Sequence, residues 1–404
     1  MQAAQGGAPG RIIAWVVAAQ VLAQIGAQAL PALLPDYIAA WNLTKTEAGW
    51  LVGIFFAGYV VSVPVLVALT DRLPARGVYI VGACCTAVSH LGFAFLADGF
   101  WSGFFFRVIG GIGWAGNYMP GLKVIADTLE GDAQSRAVSW HAAGVGIAGA
   151  SSFAIAGLLR AVSGPSAAFL FAGLSAIVAA AIALAVMPAG RPAHAHTAAP
   201  RALLDFRPVL RNRRAMAWIA GYTVHTWELS ALRAWSVTFL TATAARLGAP
   251  SWLPAPTLLV TTIGLVCIAV SVTGNETAQR HGRARVVLIA MSSAALFSVI
   301  TGWTTGVSML LAMLLVLIWN ACIYIDSSAL TAGTVQAADK DLRGATMGLH
   351  SMAGYTGGFL GPLGVGFFLD FAGGDGVLGW GIGFGHLAVV TLAGLFILRR
   401  LGRQ

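Results

Sequence analysis

The chain has 404 residues, of which 58% are hydrophobic and only 10% charged, with a mean hydropathy of +0.79 and a formal net charge of +9. A soluble domain carries about 25% charged residues, so this composition excludes a water-soluble globule and leaves lipid as the solvent over most of the surface. Closed barrels and helices alone span a bilayer, and the apolar runs here are continuous rather than alternating, so the chain is expected to be an all-α integral membrane protein.

Twelve transmembrane helices are expected in chain order: 12–35, 47–69, 78–97, 102–124, 137–160, 167–187, 216–240, 257–275, 286–303, 309–332, 344–369 and 377–398. "MQAAQGGAPG" is a short polar tail ahead of the first run. No small-residue cleavage site follows Arg11, so the first span reads as a retained helix and not as a signal peptide. The longest loop runs from Pro188 to Ala215 and is basic and rich in Pro and Ala. It divides the chain into a six-helix bundle over 1–187, a cytoplasmic linker over 188–215 and a second six-helix bundle over 216–404.

Basic residues set the orientation. With both termini inside, the outer segments hold only Lys45, Arg160 and Arg246, and three more, Arg107, Lys123 and Arg233, fall within spans. The other eighteen of the 24 Lys and Arg residues lie in cytoplasmic segments. The expected location is therefore the cytoplasmic membrane, multi-pass, with both termini cytoplasmic. Because the basic residues are spread over many loops, the net charge is a topology signal and no nucleic-acid partner is expected. Cys84, Cys85, Cys267 and Cys322 all lie inside apolar runs and form neither a disulfide framework nor a metal-ligand spacing, so neither metal nor cofactor is expected.

The two halves echo each other. "ALTDRLPARGVYIVG" after span 2 and "NETAQRHGRARVVLI" after span 8 are both short basic turns behind an acidic residue. "GDAQSRAVSWHAAGVGIAGA" and "ADKDLRGATMGLHSMAGYTGG" each place an Arg, then a His, then a Gly-rich helix.

These segments resemble a major facilitator superfamily transporter. "DRLPAR" (Asp71 to Arg76) is similar to the family's loop motif between spans 2 and 3, Gly-x-x-x-Asp-Arg-x-Gly-Arg-Arg. Asp71, Arg72 and Arg76 match, whereas Val67 stands in place of the leading Gly and Pro74-Ala75 in place of the Gly-Arg pair. "NETAQRHGR", with Glu276, Arg280 and Arg283, resembles the second-half copy, and "RVIGGIGWAG" resembles the family's span-4 motif. The resemblance implies a fold that holds its solute near the bilayer midplane between two rocking halves. It also implies that these loop residues act as a conformational gate. Asp71 would face the helix N-terminus near Gly344, and Arg72 and Arg76 would pair with acids of neighbouring loops. The Gly-Pro motif of the family's proton-coupled exporters is missing from span 5, which favours symport.

The charges inside the spans carry the chemistry. A charge facing lipid at mid-span costs at least about 2.5–3.5 kcal/mol, so it needs a cavity or a partner. In span 7, at about 100° per residue, Tyr222, His225, Glu228, Arg233, Trp235 and Ser236 occupy one arc of roughly 160°. Glu228 and Arg233 are five apart, too far around the helix to pair with each other, and His225 is placed to bond Glu228. In span 4, Arg107, Trp114 and Tyr118 form a stripe with Asn117 beside it. Arg107 and Arg233 are expected to clamp an anion. His225, Glu228 and Asp326, with His141 and His350, are expected to carry protons. No catalytic constellation emerges, so an enzyme is not expected. The function expected is a secondary transporter of a small organic or other anion by proton-coupled alternating access. Its partners would be a small-molecule substrate, protons and the lipid bilayer, and the chain would act as a monomer. The alternatives are a proton-coupled exporter of amphipathic compounds and a membrane receptor or sensor that does not transport.

Overall fold

The computed structural model describes residues 7–70, 72–189 and 206–401, and every regular element among them is helical. The helices are α1 (Gly7–Gln24), α2 (Ala29–Ala40), α3 (Lys45–Leu69), α4 (Ala75–Leu96), α5 (Phe100–Thr128), α6 (Gly131–Ser163), α7 (Pro165–Val186) and the single turn α8 (Arg207–Arg211). They continue with α9 (Arg213–Leu247), α10 (Pro256–His281), α11 (Arg283–Gly302), α12 (Met309–Ala337), α13 (Arg343–Phe371) and α14 (Val377–Leu401). Most of the expected linker, residues 190–205, and Asp71 lie outside the described residues.

Ten helical segments are long and apolar enough to cross a membrane, with α1 and α2 forming one of them over Gly10–Ala40. The long helices that do not reach that apolarity are α5 and α9, of 29 and 35 residues. They carry Arg107 (α5) and His225, Glu228 and Arg233 (α9) along with Gly, Trp, Tyr and Asn. Both are enclosed by protein instead: no described side chain is exposed on α5 between Phe106 and Ile125, or on α9 between Ala215 and Leu240. Other helices expose large apolar side chains, among them Val61, Phe95, Val162, Phe371 and Val389, which water would not tolerate at this density and lipid does.

The first span differs from the expected single helix over 12–35. It breaks at Ile25–Gln28, where Gly26 lies so close to Ala172 of α7 that a side chain there would overlap it. The break frees a backbone donor, and Gln28 N–H gives its hydrogen bond to Ser152 Oγ at 3.1 Å.

By contacts the chain divides into two compact units. Unit 1 is Met1–Leu30 with Ala57–Leu204, and unit 2 is Pro31–Phe56 with Asp205–Gln404. Each has its own core of small and medium side chains. In unit 1, Val16, Ala19, Tyr79, Ala83, Val124, Ala137 and Ala183 pack together. In unit 2, Ala217, Ala278, Val287, Met291, Ala329 and Leu330 do so. Without a hydrophobic drive between helices in lipid, such small residues permit the close backbone approach that gives dispersion contact. The seam between α9 and α13 shows this, because a Cβ at Gly357 or Gly361 would overlap the carbonyl oxygen of Thr223 or Trp227.

The unit boundary at Phe56/Ala57 falls inside α3. The first residues of α3 belong to unit 2, where Asp370 of α13 accepts hydrogen bonds from the backbone N–H groups of Lys45 (3.0 Å) and Thr46 (2.7 Å). Lys45 Nζ pairs with Asp375 at 3.2 Å. A carboxylate on the free amides at a helix start satisfies orphan donors and suits the helix dipole.

Candidate functional site

Unit 2 holds the ionisable residues of α9. Glu228 is 3% exposed, and each of its oxygens accepts a hydrogen bond, one from Trp319 Nε1 of α12 at 2.7 Å and one from Thr391 Oγ1 of α14 at 3.1 Å. One turn earlier, His225 Nδ1 lies 2.7 Å from Asp326 Oδ1 of α12, with both side chains buried. Tyr222 stacks on His225 (centroids 5.7 Å apart) and on His350 of α13 (3.9 Å). The two ring nitrogens of His350 lie 3.1 Å from Thr334 Oγ1 and 3.4 Å from Thr331 Oγ1. Further along α9, the Arg233 guanidinium donates to the Tyr324 hydroxyl and sits 5.6 Å from the centre of that ring.

These contacts revise several expected pairings. His225 faces Asp326 rather than Glu228, whose two oxygens accept from α12 and α14. Arg233, expected to clamp an anion, donates to the Tyr324 phenol. Trp235 is fully buried, its indole N–H donates to the Pro362 carbonyl at 2.9 Å, and its ring packs edge-on against Trp380. That environment gives Trp235 a packing role. The partners Trp319, Thr391 and Tyr324 were beyond sequence reasoning, since nothing in the spacing of one helix reveals which residues a neighbouring helix turns towards it.

Unit 1 holds the α5 stripe. Arg107 is 2% exposed, Trp114 and Tyr118 are half-buried, and Asn117 is fully buried with its Nδ2 donating to Thr86 Oγ1 at 3.0 Å. His141 of α6 is buried against Tyr118, with ring centroids 5.6 Å apart. Two residues that sequence reasoning passed over are buried beside them, Gln20 and Gln24 of α1, at 0% and 1% exposure. Their four-residue spacing inside an apolar run was the available signal. Lys123 pairs with Asp127 at 3.4 Å.

The expected gate is partly in view. Asp71 lies outside the described residues. Arg76 binds the carbonyl oxygens that end α7, Leu184 at 2.7 Å and Met187 at 3.3 Å, instead of an acid, a favourable use of a cation at a helix C-terminus. Arg72, Glu276 and Arg280 are exposed and Arg283 is half-buried.

Membrane-apolar helices, two contact units and enclosed charged helices now stand together with one decisive comparison. The sequence profile of the Major Facilitator Superfamily matches residues 16–362. The chain belongs to the major facilitator superfamily. Solved structures of this superfamily share its fold. A bacterial homolog of the human lysosomal transporter Spinster, inward-facing and unoccupied, aligns with TM-score 0.78 and 16% identity over 98% of this chain and 97% of that one. The nucleoside transporter NupG aligns with TM-score 0.77 and 12% identity over 97% of this chain and 99% of that one. At such identities the likeness concerns the fold alone. No curated protein gives a significant sequence match. The protein is thus a multi-pass membrane protein with a major facilitator fold, and its structural neighbours are transporters.

Proposed function

We propose that this superfamily member is a secondary active transporter with twelve crossings, α5 and α9 included, in two six-helix bundles joined by the 188–215 linker. It moves a small anionic solute across the cytoplasmic membrane by proton-coupled alternating access, as a symporter. One observation carries the coupling: Glu228 is buried at 3% exposure and held by an indole N–H and a hydroxyl, both neutral donors. A carboxyl group held this way gains or loses a proton without stranding a fixed cation, whereas one locked to an arginine cannot. The His225–Asp326 contact at 2.7 Å offers a second proton position one helical turn away. Arg107 and Arg233 supply positive charge for the anion.

The test is uptake of labelled orotate and gluconate into proteoliposomes under an imposed inward proton gradient. Wild type accumulates solute, and Glu228→Gln exchanges it across the membrane but no longer accumulates it. Accumulation that survives in Glu228→Gln rules out this coupling site, and uptake indifferent to Arg107→Ala and Arg233→Ala rules out the anion.

A further inference from the structure

One buried polar cluster of unit 1 stands out because whole carboxamides in it lack partners. Both carboxamide atoms of Gln20 and both of Gln24 are buried without a hydrogen-bond partner, and the same holds for the Tyr79 hydroxyl and His141 Nε2. Four helices bring them together. Gln20 and Gln24 lie one turn apart on α1, Tyr79 is on α4, His141 is on α6, and Gly121 of α5 lies against Gln20, His141 and Tyr79. A Cβ on Gly121 would stand 3.0 Å from Gln20 Oε1, 3.1 Å from His141 Nε2 and 3.3 Å from the Tyr79 ring. The absent side chain lets these three groups close over the α5 backbone. Unsatisfied amides inside an apolar bundle are costly, and native proteins rarely leave them without a partner.

We propose that Gln20, Gln24, Tyr79 and His141 form a recognition subsite over Gly121 for an uncharged group that presents a hydrogen-bond donor beside an acceptor. A carboxamide offers both roles side by side, so it pairs in bidentate fashion with an amide or nucleobase edge and equally with vicinal hydroxyls. No charged side chain belongs to the cluster apart from the titratable His141, so the group recognised here is not the solute's anionic end. This inference deepens the transporter reading and rests on it only for the presence of a solute. The solute becomes an anion with a hydroxyl- or amide-bearing body rather than a bare carboxylate.

The probes are orotate (carboxylate plus imide edge), gluconate (carboxylate plus hydroxyls) and propionate (carboxylate alone), titrated calorimetrically into the full-length protein in detergent at fixed pH. Wild type is expected to bind orotate or gluconate at least about tenfold more tightly than propionate, as the loss of one well-made hydrogen bond implies. Which of the two binds distinguishes an amide edge from vicinal hydroxyls. The double variant Gln20→Met, Gln24→Met keeps the volume, removes the amides and should erase that preference while leaving propionate binding intact. Gly121→Ala, a favourable change for a helix taken alone, should also weaken the preferred probe by displacing Gln20 and His141. It serves where the double variant does not fold. Equal binding of all three probes, no binding of orotate and gluconate, or a preference kept by the variants overturns the proposal and leaves the amides to buried water. None of these readouts uses a proton gradient, so failure of Glu228→Gln to uncouple transport would leave the binding contrast standing.

Discussion

Two buried polar clusters, one in each unit, differ in kind. In the unit 2 cluster both buried acids have a contact: Glu228 takes two hydrogen bonds, and Asp326 faces His225. In unit 1 the carboxamides of Gln20 and Gln24 make none. A polar group that is satisfied by its own protein stabilises the fold, and its removal leaves a partner stranded. A group left unsatisfied costs stability, and its removal relieves the fold. The comparison therefore assigns opposite signs to substitutions in two membrane-embedded clusters of similar burial.

Asp326→Ala should be the largest effect. It strands His225 in a dry interior and opens a void, which corresponds to about 3–5 kcal/mol lost by analogy with broken buried pairs, and the detergent-solubilised variant should melt well below wild type. A melting temperature within a degree of wild type would mean that the contact is not a real constraint. Gly361→Ala comes next, because it forces a methyl into the Trp227 carbonyl at the seam of α9 and α13. Overpacking of this kind costs about 1–3 kcal/mol, measurable as a lower denaturation midpoint. Trp319→Phe removes one donor from Glu228 and keeps most of the ring, so a loss of about 1–2 kcal/mol is expected, together with altered proton-driven uptake. Gln20→Met, the matching change in unit 1, should leave the melting temperature unchanged or raised. A drop as deep as that of Trp319→Phe would erase the contrast between the units.

The ten apolar crossings were readable because lipid demands long uninterrupted hydrocarbon-soluble runs, and few sequences can disguise them. The division of labour within α9 was readable only in part. The five-residue offset of Glu228 and Arg233 requires partners on other helices, and both have them, in Trp319, Thr391 and Tyr324. The identity of those partners depends on how α12 and α14 are rotated, which a single helix does not encode. His225 illustrates the limit. Its spacing from Glu228 permits a bond along the helix, yet Asp326 on α12 offers a 2.7 Å contact and takes the ring nitrogen. The break in the first span escaped for a similar reason, since Gly26 becomes a turn only where α7 crowds it. Gln20 and Gln24 escaped because an uncharged amide does not disturb a hydropathy profile as an arginine does.

The clasp at the start of α3 has a further consequence. Its two parts answer differently to ionic strength. The Lys45–Asp375 pair is half open to solvent at Asp375, so dissolved ions weaken it, while the grip of Asp370 on two main-chain amides is short-ranged and directional and persists in brine. α3 is continuous from Lys45 to Leu69 and contributes residues to both units. Lifting the tip of α3 off α13 would break both parts of the clasp. Saline conditions would ease that release only slightly, and neutralising Asp370 would ease it far more.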